Sequence, residues 1–419
     1  MTILKKKISL LSGVAIAVSM VVGSGLFGLP GLAIQQTDAL TALLAWLGVI
    51  ALMPALIYVF SWLGCRYPSA EGISLYASKG LGHWSRAGIM MITCGTLAVG
   101  MPAFFLVGGS YIAVLLGLND TQWTIPCALL LAVATTIINL YGVEKLGFIN
   151  KVIVILVLAV VIYLSIRLLP AITIISPTIT SEAIFSIPIS QLWLAMSIVF
   201  WAFQGWENMT FGFEEIKNPK VNIPLIYWLS FMIVSIVYAI FALAVFIGAA
   251  QGVNVSGLNG IVGLLPEGLV GRLILIIMVF ILIANANAWV FGSSRAFFSA
   301  ATMHLLPSQL RYVNHNGIPI TMLYTLLTLY CTVILIIYIG GIDIHYAFFL
   351  LTTQGFIILY GGAVIAFMKE VSFWWQKVIG IIAGISWIFL MQGFGWLVLY
   401  PLCLMLIGTL LYRYHLISD

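Results

Sequence analysis

The sequence predicts an all-α integral membrane protein of about twelve spanning helices. Three observations predict it. Of 419 residues, 63% are hydrophobic and only 7% are charged, too little polar surface to cover a soluble fold of that size. Apolar runs of about 20 residues, each able to cross a hydrocarbon core of roughly 30 Å, recur along the whole length. The ten-residue alternation that a membrane β-barrel needs is not visible.

The spans are read in order from the hydropathy. The first covers residues 10–34. Lys5, Lys6 and Lys7 precede it in the manner of a signal peptide, but the stretch continues past Leu32 without a small-residue cleavage pattern. It is therefore read as a retained span. Spans two to five cover 40–64, 86–116, 123–142 and 148–169. The sixth covers 189–213, followed by 223–249, 273–300, 320–339 and 346–368. Two shorter spans, 378–391 and 395–412, are separated only by Gln392-Gly393-Phe394. No soluble domain is left over.

Charge tests this reading. With the amino terminus in the cytoplasm, Lys5, Lys6, Lys7, Arg66, Lys79, Arg86, Lys145 and Lys151 fall inside. So do Lys217, Lys220, Arg295, Arg311, Lys369, Lys377 and Arg413, and only Arg167 and Arg272 fall outside. Such asymmetry puts both termini in the cytoplasm, and the expected location is the plasma (inner) membrane. The formal charge of +5 is thus a topology signal and not a nucleic-acid footprint.

Other function classes are disfavoured by what the chain lacks. Its five cysteines and five histidines are scattered without ligand spacing, so neither a disulfide framework, a metal site nor a cofactor is expected. No nucleophile, base and metal constellation suggests an enzyme. No repeated filter or charged ring suggests a channel. Trp46 and Trp123 are read as interfacial belt residues. Met101 and Pro102 in the third span are read as packing or a kink, with lining of a pocket as the alternative.

Two spans are interrupted. In the first, Val22-Gly23-Ser24-Gly25-Leu26-Phe27-Gly28-Leu29-Pro30 concentrates residues that cost a helix about 1 kcal/mol per Gly and about 3 per Pro. Local unwinding and a Gly-rich packing face both fit this run alone. In the sixth, Phe200-Trp201-Ala202-Phe203-Gln204-Gly205-Trp206-Glu207-Asn208 puts polar residues inside an apolar span. Asp38, Asp120, Glu182, Glu267 and Asp343 fall in outer loops, and Glu71, Glu144, Glu214, Glu215, Glu370 and Asp419 in inner ones. Glu207 is then the one carboxylate within the membrane, a functional candidate by default. A purely structural reading, in which it bonds backbone freed by the break, stays open.

Depth pairs the two breaks. Ser12 to Gly23 spans about 16 Å, and Lys217 back to Glu207 about 15 Å, at 1.5 Å per residue. Both breaks lie near the midplane, in the leading spans of two five-span halves of opposite topology. That is the pattern of a transporter site. The expected division is 1–170 for the first repeat, 171–368 for the second and 369–419 for two accessory helices.

Helix dipoles suggest the ligand. The outward half of span one aims free N–H groups at its break, which suits a carboxylate. The outer half of span six leaves free carbonyls at its own break, which suits an ammonium group. Together they match the α-carbon end of an amino acid. At Glu207 the dipole favours the ionised form and desolvation the neutral one, as a proton-coupling group requires. Lacking any second buried charge, the site suits a neutral side chain, although cation–π contact with Trp201 or Trp206 would also admit a cation. Asn285 and Asn287 in span eight either line the cavity or bond between helices, with Asn287 favoured as nearer the helix centre.

These motifs resemble the amino acid–polyamine–organocation superfamily. Gly23-Ser24-Gly25-Leu26-Phe27 with Pro30 is similar to its first-span motif, and Phe200 to Glu207 to its sixth-span motif. Glu214-Glu215-Ile216-Lys217-Asn218-Pro219, Ser293-Ser294-Arg295, Leu306-Pro307 and Gly317-Ile318-Pro319 resemble its loop signatures in family order. The resemblance implies the LeuT-like fold, a five-plus-five inverted repeat with discontinuous helices 1 and 6. It implies a carboxylate bound by the backbone of Gly23, Ser24 and Gly25, an ammonium on the Phe203 and Gly205 carbonyls, and gating by Trp201. Within the superfamily the chain looks similar to bacterial exporters of methionine and branched-chain amino acids. Some relatives carry a mid-span lysine in helix five in place of sodium; here 152–163 is free of charge, so protons through Glu207 are the expected coupling.

Overall fold

Every apolar run predicted to span folds as helix in the computed structural model, which describes residues 8–69, 72–118, 121–141, 146–171, 180–314, 318–340, 343–391 and 395–418. The first span is two helices, α1 (Leu10–Val21) and α2 (Ser24–Gln36). Spans two to five are α3 (Ala39–Arg66), α5 (Ser85–Leu115), α6 (Thr124–Leu140) and α7 (Leu146–Leu168), with a short α4 (Ile73–Leu81) before α5. The sixth follows a turn of helix, α8 (Ser181–Phe185), and is split into α9 (Ile189–Phe200) and α10 (Trp206–Met209). The remainder are α11 (Pro219–Ala250), α12 (Leu269–Thr302), α13 (Ile320–Gly340), α14 (Asp343–Glu370), α15 (Trp374–Met391) and α16 (Leu399–Ser418). Among the described residues nine helices are long and apolar enough to cross a membrane. The shorter α6 and α7 and the interrupted sixth bring the total to about twelve, in agreement with the hydropathy.

Local chemistry sets the boundaries. Asp38 caps α3 by accepting from the Leu40 and Thr41 N–H groups, both at 2.9 Å, as an N-cap carboxylate should. Asn218 adopts the left-handed region at φ 47°, and Pro219 opens α11 where its missing N–H costs nothing. Helix α4 is absent from the hydropathy reading because nine residues between two positive-φ glycines, Gly72 and Gly82, are too few to register as a span.

Two groups of helices enclose the core. Helix α11 packs on α1 and α3, and α3 packs on α9, while α5, α6, α12 and α13 form a second group. At one end of the molecule, which we term the basic face, Arg66 pairs with Glu370 at 3.2 Å. There the Lys217 N–H also donates to the Ile8 carbonyl at 2.9 Å, and Ile8 and Ile216 form a parallel bridge. At the opposite end, the Gly257 N–H donates to the Gly31 carbonyl at 3.1 Å. A Cβ on Gly31 would meet that loop backbone at 2.2 Å, so only glycine allows the approach. Lys5, Lys6, Lys7, Lys145, His315 and the Gln392-Gly393-Phe394 turn lie outside the described residues.

Candidate functional site

The interruption in span one is short and fully buried. Val22 is extended and Gly23 takes φ −176°, ψ −118°, so the helix stops and restarts within two residues. Stopping exposes the last carbonyls of α1 and the first N–H groups of α2. Neutral side chains from other helices meet the carbonyls. Asn285 Nδ2 donates to the Ser19 carbonyl, Trp289 Nε1 to Met20 at 2.9 Å, and the Tyr238 hydroxyl lies 2.8 Å from Val21 O. Asn285 also reaches across the gap, its Oδ1 accepting from the Ser24 N–H at 3.3 Å. One buried amide thus holds both halves of the span. The N–H groups of Gly23 and Gly25 have no acceptor among the described residues.

The break in span six lies against the first. A Cβ on Gly25 would come within 2.6 Å of Ala202 Cα, and one on Gly205 within 3.0 Å of Met20 O. Gly205 sits at φ 124°, a region that side chains disfavour. The Tyr238 hydroxyl is also 2.8 Å from Ala202 O, so one donor from α11 serves both breaks. The Gly205 carbonyl accepts from Met209 N–H at 3.0 Å and keeps a second lone pair. The Phe203 carbonyl has no donor among the described residues.

Glu207 is 1% exposed in the first turn of α10. Its Oε1 accepts from the Gly205 N–H at 2.9 Å, and its Oε2 accepts from the Tyr360 hydroxyl at 2.6 Å. The carboxyl therefore does bond backbone released by the break, and it also faces a phenol from α14. Among the described acidic residues it alone is buried.

Beside the breaks lies a cavity of about 20 Å³, walled by Leu97, Met101 and Phe104 of α5, Phe356 of α14, Trp201 and Gln204. That is room for about one water, so these walls must part to admit anything larger. The Trp201 ring packs on Phe349 at 4.8 Å. Met101 lies on the cavity wall, the alternative to packing named above.

Several placements differ from the sequence reading. Asn287 bonds between helices, with Asn139 Nδ2 donating to its Oδ1 at 2.8 Å, and it is Asn285 that sits at the break. Trp46 is not a belt residue; it is 2% exposed and its ring packs on Tyr238 at 4.9 Å and Phe203 at 5.9 Å. Trp206 faces Tyr227 and Phe231 and not the cavity. Tyr238, Tyr360 and Trp289 were missed. Their signal was a polar atom within an apolar span, which burial obliges to find a partner.

An all-helical core with two facing mid-span breaks among the described residues is the arrangement of a multi-pass membrane transporter, and the comparisons give its class as amino acid transport. The amino acid permease family matches residues 8–415, and the chain belongs to it; it is a transporter and not an enzyme. It is 24% identical over 413 residues to the L-methionine/branched-chain amino acid exporter YjeH of Escherichia coli (strain K12), covering 96% of this chain and 95% of that one. It is 25% identical over 368 residues to an arginine/ornithine antiporter of Pseudomonas aeruginosa, covering 83% and 75%. The crystal structure of MhsT in complex with L-phenylalanine shares the fold, with a TM-score of 0.63 at 16% identity over 96% of this chain and 99% of that one. The fold is thus the five-plus-five inverted repeat with discontinuous first and sixth helices.

Proposed function

We propose that the chain moves a small neutral L-amino acid by alternating access through the paired breaks, coupled to protons by Glu207. The observation carrying this reading is the facing of two opposite backbone ends at buried depth. The Gly23 and Gly25 N–H groups offer an anion pole, and the Phe203 carbonyl, with the spare lone pair of Gly205, offers a cation pole. Ser24 contributes its N–H once Asn285 Oδ1 gives way, and Trp201 closes the cavity over the substrate. The neutrality of the cavity wall supports a neutral side chain.

Glu207 is the coupling group in this reading. As drawn by its partners it accepts two hydrogen bonds, so taking a proton requires one oxygen to become a donor. The Tyr360 hydroxyl can then turn its proton away and accept from the carboxyl, which ties protonation of Glu207 to its hydrogen bond with α14. The basic face is cytoplasmic, so both termini are cytoplasmic. The repeats divide at 1–170 and 171–368, with 369–419 accessory.

Export of methionine or branched-chain amino acids is the direction that the similarity to YjeH supports. Exchange is the second reading, supported by the similarity to a named antiporter. Flux of labelled amino acids in proteoliposomes, with and without a proton gradient, tests both. Saturable, gradient-driven flux of neutral amino acids is expected. Flux driven only by a counter-substrate would replace coupling with exchange.

A further inference from the structure

Gln204 stands apart from the other polar groups around the cavity. It is 3% exposed, borders the cavity, and its Nε2 has no hydrogen-bond partner among the described residues. Its polar neighbours are mostly spent within the protein. The Thr352 hydroxyl donates to Phe348 O at 2.8 Å, and Trp289 Nε1 is held by Met20 O. The Thr96 hydroxyl, also without a partner, stands on the same wall. Leu97, Phe104 and Phe356 supply no donor or acceptor there, and Met101 offers only the weakly accepting sulfur of its thioether.

A buried carboxamide without a partner is costly and is rarely tolerated unless something pairs with it. Gly23 and Gly25, the anion pole, do not line this cavity. A zwitterion held at the breaks would therefore project its side chain, and not its α-carbon groups, toward Gln204. We propose that Gln204 is the specificity residue of the proposed transport reaction, selecting a neutral side chain that bears a hydrogen-bond acceptor over a hydrocarbon side chain of the same size. This rests on the amino acid reading of the site given above and narrows it, favouring methionine over the branched-chain hydrocarbons. A hydrocarbon leaves the Gln204 N–H₂ unpaired, whereas a carboxamide, hydroxyl or thioether accepts from it. A site built to hydrogen-bond its ligand discriminates strongly against the analogue that cannot.

The test is displacement of a radiolabelled neutral amino acid from the purified full-length chain by two isosteric pairs, leucine with asparagine and valine with threonine. Wild type is compared with Q204M and Q204L, apolar replacements of different shape, so one folded variant suffices. Each preference is expected to move about tenfold or more toward the hydrocarbon member. A ratio unchanged within about twofold, in a variant that unfolds at the wild-type temperature, would overturn the proposal. Equal weakening of both members would also overturn it, by assigning Gln204 to the α-carbon end. If no amino acid bound wild type at all, the transport reading itself would fall, and this inference with it.

Discussion

The Tyr360 hydroxyl donates a 2.6 Å hydrogen bond to Glu207 Oε2, joining α14 to the second half of the broken sixth span. Both residues are buried, and the Tyr360 ring also packs on Phe60 at 4.7 Å and Phe200 at 5.6 Å. The phenol is thus fixed by its ring and reports on the carboxyl through its proton.

Replacing Tyr360 with Phe keeps the ring and removes that donor. An acceptor left buried without a partner costs about 1–3 kcal/mol. Y360F is expected to unfold at lower temperature in detergent and to lose much of the dependence of flux on the proton gradient. Unchanged gradient dependence would separate Tyr360 from coupling.

Glu207→Gln is expected to fold, because Gln can still accept from the Gly205 N–H. It cannot exchange a proton, so gradient-driven flux is predicted to vanish while substrate binding persists. Proteoliposomes carrying E207Q, assayed at several pH values, check this. Full pH coupling in that variant would dismiss Glu207 from the role.

Asn285→Ala removes the amide that spans the first break. The Ser19 carbonyl and the Ser24 N–H lose their partner together, at about 1–3 kcal/mol for each group left unsatisfied. Loss of flux with retained helicity by circular dichroism is expected. Asn287→Ala is predicted to be milder for flux, because its bond to Asn139 lies away from the breaks.

Gly23→Ala tests the same contact sterically. Its Cβ would fall 1.8 Å from Asn285 Oδ1, which displaces the amide. Flux is expected to drop on the order of a hundredfold, as when a binding group is misplaced by about 1 Å. By contrast Glu370→Gln, which breaks an ion pair whose Arg66 side chain is 55% exposed, should leave flux and the unfolding temperature in detergent near the wild-type values.

How much of this was legible in the sequence follows from the kind of signal each feature leaves. The breaks were legible because Gly, Pro and Glu are expensive within a span, and cost is local to the residue. The spans were legible because hydropathy needs no partner. The placement of Asn285 over Asn287 was not, since two positions along a helix differ by about 200° of rotation at 3.6 residues per turn and only packing fixes which one points inward. Trp46 was misplaced for the same reason: an aromatic seven residues into α3 looks alike whether it faces headgroups or Phe203. Tyr238 and Tyr360 sit in apolar runs where a tyrosine reads as bulk, and their roles depend on carbonyls and a carboxylate far away in the chain.

The central claim is that two opposed backbone ends hold both charges of one zwitterion. It is tested most directly by comparing binding of a neutral amino acid with that of its carboxamide and its N-acetyl derivative. The account predicts that either modification weakens binding at least a hundredfold, since each leaves one pole without its charge. Derivatives that bind as tightly as the parent amino acid would contradict it.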